Sequence, residues 1–276
     1  MSPGFSAANR INWDERVGVH KADATGAYRM AALRVGDNSL HPIEDRELGE
    51  VAGKRLIHLQ CHFGRDTLAL ARRGAEVTGL DFSPEAIATA RGLAAELNIR
   101  AQFIEGDVAD ARALVQGTFD IVYVTWGAIN WLPDLAEWGR TVSSLLGPDG
   151  FLYLAEGHPF LYMLDERDPG LRPGYDYRSP PDSPIASDEE TTYTSDPTRL
   201  RNTRNYSWNH SLSDVVMAII GAGLRLEFLH EHHEIPWAFA PIMDEVPESN
   251  GMYRLPETFP RIPLSFSLRA RKERQA

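Results

Sequence analysis

Leu56-Ile57-His58-Leu59-Gln60-Cys61-His62-Phe63-Gly64 and, one helical interval later, Ala75-Glu76-Val77-Thr78-Gly79-Leu80-Asp81-Phe82-Ser83 are the two stretches that decide the fold. Each is a short apolar run, 55–59 and 76–80, that empties into a polar or glycine-containing turn, and the interval 66–73 carries helical spacing. The pattern continues outward. Ser83 as N-cap, Pro84 in the first turn and Glu85 at the positive helix end predict a helix that closes at Asn98. Strands follow at 101–105 and 119–125, then a helix over about 133–146, a Gly-Pro-Asp-Gly turn and a fifth strand at 151–156. Strands alternating with helices imply an α/β fold, doubly wound, with a mostly parallel sheet covered on both faces.

On either side of this unit the character changes. Residues 1–50 read as an N-terminal helical cap, with Trp13, Val17 and His20 on one face, ahead of a main domain at 51–276. An insertion at about 161–207, with prolines at 169, 173, 180, 181, 184 and 197, reads as a long loop or lid without regular structure of its own. Ser211, with Asp214 as its capping partner, opens a helix at 212–222, and 225–230 and 264–270 read as two further strands.

The 276 residues are 43% hydrophobic and 24% charged, which is globular composition, and 28 Lys plus Arg against 39 Asp plus Glu leave a net charge of −11. Such a surface repels phosphate backbones, so nucleic acid is not the expected partner. One cysteine, Cys61, excludes an intrachain disulfide and a Cys-based zinc site, and suits a reducing compartment. No apolar run approaches the roughly 20 residues a membrane crossing needs. These readings predict a cytoplasmic protein without a membrane partner. The run His230-Glu231-His232-His233-Glu234 divides between two strand faces, so no metal site is expected there.

In open α/β sheets ligands bind beyond the carboxyl ends of the strands. Asp81 ends the second strand, where an acid accepts from both ribose hydroxyls, and Asp107 follows the third, where an acid accepts from an exocyclic amine. Together they describe an adenosine pocket. On these residues, and on the two stretches quoted first, the chain resembles the class I S-adenosylmethionine-dependent methyltransferases from about residue 54 to 158, and its C-terminal helix and two strands fit that family's ending, with an antiparallel C-terminal strand. It departs from the family's acid-x-Gly-x-Gly-x-Gly loop, since His58, Gln60 and His62 stand where the acid and the first two glycines would, and only Gly64 is kept.

The resemblance implies S-adenosyl-L-methionine as cofactor. Its amino-acid end would lie near Gln60, Cys61, Gly64 and Thr125, its ribose on Asp81, and its adenine between Phe82 and Val108 with Asp107 on the amine; Ser83 and Gly106 complete the set, and Trp13 and Tyr28 would close over it. Trp126, Asn130 and His62 are the candidate acceptor residues, and His158, just after the fifth strand, is the candidate general base for a small-molecule methyl acceptor. The same features admit a donor-binding module without turnover, in which cap and insertion serve a partner.

Overall fold

The computed structural model describes residues 3–168 and 170–273, so that Pro169 and both chain ends, 1–2 and 274–276, lie outside the described residues. The chain opens with α1 (Pro3–Ala22), α2 (Met30–Val35) and α3 (Pro42–Glu47). Then come β1 (Arg55–Leu59), α4 (Arg65–Arg72), β2 (Glu76–Asp81), α5 (Pro84–Glu96), β3 (Gln102–Glu105), α6 (Ala111–Leu114), β4 (Phe119–Thr125), α7 (Leu135–Leu145) and β5 (Leu146–Gly157). After the insertion, which contains β6 (Ile185–Asp188) and β7 (Arg204–Ser207), follow α8 (Leu212–Gly221), β8 (Leu224–His232), β9 (Asp244–Glu245), β10 (Tyr253–Arg254) and β11 (Ser265–Lys272).

Seven strands form the main sheet in the order β3-β2-β1-β4-β5-β11-β8. The first five are parallel, and β11 runs antiparallel to both of its neighbours. The doubly wound architecture with an antiparallel C-terminal strand is therefore the one read from the sequence. Successive residues point to opposite faces, so Ile57, Leu59, Val122 and Val124 join one buried cluster with α7 and α8, while Leu56, Ile121 and Tyr123 join another with α2, α4 and α5. Because the chain runs outward from β1 to β3 and returns at β4, the order reverses between β1 and β4. A crevice opens there.

Local chemistry fixes the helix starts. Ser83 Oγ accepts from Ala86 N at 3.0 Å, Asp134 Oδ1 accepts from Ala136 and Glu137 at 2.8 and 3.0 Å, and Ser211 and Asp214 form a capping box. With Asp134 as cap, α7 starts after Pro133. β5 begins earlier than expected because Leu146 pairs with Phe119 across an irregularity in the ladder, which takes the 147–150 turn into the strand.

The insertion departs from the expectation of a featureless loop. Its β6 and β7 pair antiparallel, and Leu161, Leu164 and Leu171 pack with Ile235, Ala240, Met243 and Leu264 from the region after β8 as a third core. These apolar residues have no local period because their partners lie far along the chain. One face of α1 holds the hairpin: Asn9 Nδ2 donates to Tyr206 O and Tyr206 N donates to Asn9 Oδ1, both at 2.8 Å, while Glu15 accepts from the Arg201 and Asn202 amides at 2.8 Å each. The Asn9 amide thus stands in for a strand partner of β7. Asn9→Ala should cost about 1 to 2 kcal/mol of stability, since the Tyr206 amide and carbonyl lose their partners, and should speed tryptic cleavage within 161–207. Cleavage at the wild-type rate would show that α1 does not secure the hairpin.

Candidate active site

The crevice between β1 and β4 continues into a cavity of about 920 Å³. Strand-end residues line one side, and α1, the 25–28 turn, the insertion and the 236–253 region line the other. Gly64 makes the turn into α4 at φ +77°, and a Cβ there would stand 2.7 Å from the Phe103 ring, so glycine is required both for backbone angle and for space. Gln60 and His62 also adopt left-handed conformations, at φ 55° and 50°, although neither is glycine. Hydrogen bonds hold them there: Gln60 Nε2 donates to Ala128 O at 2.7 Å, and the His62 amide donates to Asp81 Oδ2 at 2.8 Å. The loop therefore keeps the sharp glycine-type course despite its bulkier residues.

Asp81 is buried, with its second oxygen accepting from Ser83 N at 2.9 Å. Burial raises its pKa to about 6, against the lowering effect of the Ser83 and His62 amides. Asp107 caps the turn after β3 by accepting from Ala109 N at 3.0 Å. Both acids line the cavity, as do Phe82, Gly106 and Val108, together with Gln60, Cys61, Gly64, Thr125 and Trp13. Ser83 does not line it. Its hydroxyl caps α5 and bonds Asp14, so its part is to hold the turn beside Asp81. Burial pushes the Cys61 thiol well up, which keeps it protonated.

Several residues that line this region carry buried polar atoms without protein partners among the described residues. Gln60 Oε1, Thr125 Oγ1, Trp126 Nε1 and Arg65 Nε are buried and unpaired, and all four residues line the cavity. Such atoms call for a polar ligand or water. Arg65, directly after Gly64, was not singled out from the sequence; it pairs with Asp66 at 2.8 Å and bonds the Ser39 carbonyl, tying the N-terminal cap to α4.

His62, Trp126 and Asn130, the candidate acceptor residues, line the cavity, and Trp131 joins them. Trp13 meets His62 and Trp131 edge-on at 5.2 and 5.4 Å between ring centres. His158 is a correction: it does not line the cavity, and both its ring nitrogens are committed elsewhere. Nδ1 accepts from the Phe160 amide at 3.0 Å and Nε2 faces Glu231 at 2.9 Å, so the ring fixes the turn after β5. Of the remaining histidines near it, His230 bonds Glu47, His232 bonds Ser267 and His233 bonds the Ile262 carbonyl. Among the described residues no group of three or more His, Cys, Asp and Glu is placed to hold a metal, and no helix is long and apolar enough to cross a membrane.

Glu156, the last acid of β5, is the buried acid beside the site that the sequence reading passed over. Fully buried, it accepts four amides: Gly127 at 2.5 Å and Gly157 at 2.8 Å on Oε1, Ala128 at 2.7 Å and Ile129 at 3.2 Å on Oε2. It thereby fixes the turn after β4 that carries Trp126 to Asn130. An acid one position before a glycine at a strand end was the available signal.

The fold is Rossmann-like, and its strand-end acids resemble those of the class I S-adenosylmethionine-dependent methyltransferases. More particularly, residues 57–150 match the model of a methyltransferase domain family. Over 106 residues the chain is 33% identical to a ubiquinone biosynthesis O-methyltransferase of Xanthomonas euvesicatoria pv. vesicatoria, covering 38% of this chain and 44% of that protein. The chain thus spans about half the length of the curated relatives it matches. Among solved structures, an S-adenosylmethionine-dependent methyltransferase of Mesorhizobium loti superposes with a TM-score of 0.58 at 24% identity, over 84% of this chain and 96% of that one. Another from Clostridium acetobutylicum gives 0.56 at 11% identity, over 84% and 89%. These likenesses establish the fold.

Proposed function

We propose that this protein transfers a methyl group from S-adenosyl-L-methionine to a small-molecule acceptor. The observation that carries the reading is the convergence of the β1 loop, Asp81 and Asp107 on one cavity. The residues present fit such a donor: Asp81 offers a carboxylate to ribose hydroxyls, Asp107 offers one to the adenine amine, and Phe82 and Val108 offer apolar contact to the ring. The unpaired Gln60, Thr125, Trp126 and Arg65 atoms suit its charged amino-acid end. When bound, the donor supplies an electrophilic methyl group on a sulfonium. The protein's own task is to hold an acceptor in line and keep water out, and Trp13, Tyr28 and the insertion's Tyr193 form the covering wall. The net charge of −11 favours an enclosed small molecule over nucleic acid.

Calorimetry with S-adenosyl-L-homocysteine is the direct test, and saturable binding is the expected outcome. No heat and no competition at millimolar ligand would sink the assignment. Binding without turnover across an acceptor screen would instead indicate a donor-binding module.

A further inference from the structure

The insertion presents a polar wall to the cavity. In its hairpin Ile185 pairs with Ser207 and Ser187 with Asn205, so these residues share one face, and all of them line the cavity. Apart from Ile185 they are polar, where a face packed on protein would be apolar. Asn209, just beyond β7, continues the wall.

The two amides in this wall are oriented by what they touch. Both side-chain N–H groups of Asn209 are used, since Nδ2 donates to Tyr162 O at 3.1 Å and to Asp176 O at 2.9 Å. A main-chain carbonyl only accepts, so the nitrogen end is settled and Oδ1 is the free end. Asn205 Nδ2 likewise turns to Thr203 O at 3.4 Å. Asn205 and Asn209 are 1% and 4% exposed, and neither Oδ1 receives a donor from a described residue. Neither oxygen is sealed away as an enclosed unpaired atom, and the cavity is the space that both residues line. Such oxygens call for a donor from outside the protein.

Charge in the same wall points one way. Of the insertion's acids that line the cavity, Asp188 pairs with Arg204 at 2.6 Å, Glu189 with Arg16 and Glu190 with Arg199 at 2.9 Å, while Glu166 has no ion-pair partner among the described residues. Arg16 also donates to Asn12 at 2.8 Å, so its charge is engaged. Although solvent reaches Glu166, crowding of its carboxyl by protein and then the nearby Glu189 raise its pKa, and Arg167 offsets them only in part. Asn209 holds the carbonyl of Tyr162, in the segment that leads to Glu166. Elsewhere in the cover His20, His62, Tyr28 and Tyr193 are hydrogen-bonded to one another. Beside the exposed Arg167, the free groups of fixed role on the insertion wall are thus one carboxylate and two amide oxygens. These only accept, and an ammonium only donates.

We propose that the insertion selects the methyl acceptor, and that the acceptor carries a protonated amine received by the Glu166 carboxylate and the Asn205 and Asn209 side-chain oxygens. This rests on the methyltransferase reading above and names its substrate class. The ammonium is a handle: its nitrogen has no lone pair while protonated, so the atom that takes the methyl group stands elsewhere on the molecule. Trp13 and Tyr162, in the same lining, offer the cation aromatic neighbours.

The probes are 2-phenylethylamine, 2-phenylethanol and phenylacetate, which share a ring and differ in charge, each titrated by calorimetry into the protein saturated with S-adenosylhomocysteine. The amine should bind at least about tenfold more tightly than the alcohol, the scale of one charge-assisted hydrogen bond, and phenylacetate should bind more weakly than the alcohol. Glu166→Gln should bring the amine to within about threefold of the alcohol, and Glu166→Lys should reverse the order of amine and phenylacetate. Asn205→Val, a substitution that suits a strand, should weaken the amine about 5- to 10-fold and the alcohol less. Retained S-adenosylhomocysteine affinity shows that each variant is folded. Failure of S-adenosylhomocysteine to bind wild type would remove the methyltransferase reading and the proposal with it. If it binds, the proposal is overturned by equal binding of amine and alcohol, by tighter binding of phenylacetate, by no amine binding at about 10 mM, or by either Glu166→Gln or Asn205→Val keeping the wild-type amine preference.

Discussion

Glu156→Ala is expected to destabilise the fold by about 3 to 5 kcal/mol, the scale of stripping a buried, fully hydrogen-bonded carboxylate from its partners. Four amides converge on this side chain, and its removal leaves all four without an acceptor in a region where Glu156 itself has no solvent exposure. Water entering the vacated space would recover part of the loss, which keeps the figure below four full desolvation penalties. The check is urea unfolding, where the midpoint should fall with an unchanged slope. Glu156→Gln separates charge from shape: its single carbonyl oxygen can serve only half of the amides, while its NH₂ group meets donors. That variant should lose less stability and should still weaken S-adenosylhomocysteine binding, because the 126–130 turn would relax. A loss below about 1 kcal/mol for the alanine variant would mean that the turn holds itself in place.

The parallel sheet was legible because its information is local: apolar runs of strand length, caps at Ser83 and Ser211, and turn residues at Gly64 and 147–150 each report on their own neighbourhood. Asp81 and Asp107 were legible for the same reason, since a strand end can be located within one segment. The insertion was not, because Leu161 and Leu164 find Ile235 and Leu264 only after the chain has folded back. His158 misled for a related reason. Its position after β5 was right, but proximity to the sheet edge does not say where a ring points, and the Phe160 amide and Glu231 turn it aside. The His20, His62, Tyr28 and Tyr193 cluster joins four segments by side-chain geometry alone, and no spacing rule reaches that far.

Asp81→Asn is expected to weaken S-adenosylhomocysteine binding by about 1 to 3 kcal/mol, or roughly 5- to 150-fold, and to abolish a proton release that wild type shows in mild acid. Burial raises the Asp81 carboxyl from the ordinary 3.8 to about 6 in the folded protein. A group whose folded pKa is raised contributes stability that is complete below the unfolded value and is lost as pH climbs through the folded one, so without ligand this carboxyl favours the folded state at about pH 4 and no longer does at about 7. Ligand binding runs the other way, because ribose hydroxyls donating to the carboxylate favour its ionised form. Near pH 5.5, where much of Asp81 is protonated, binding should therefore expel a fraction of a proton, and affinity should rise with pH up to about 6.5 and then level. Calorimetry in buffers of different ionisation enthalpy measures that proton directly. Glu44, raised by burial to about 8, and His62, lowered to about 3, titrate outside this window, and because burial also raises the cavity-lining Asp66 and Glu166, the asparagine variant is the control that assigns the released proton to Asp81. If the asparagine variant released as much as wild type at pH 5.5 and bound as tightly, the ribose contact would have to be moved to another residue.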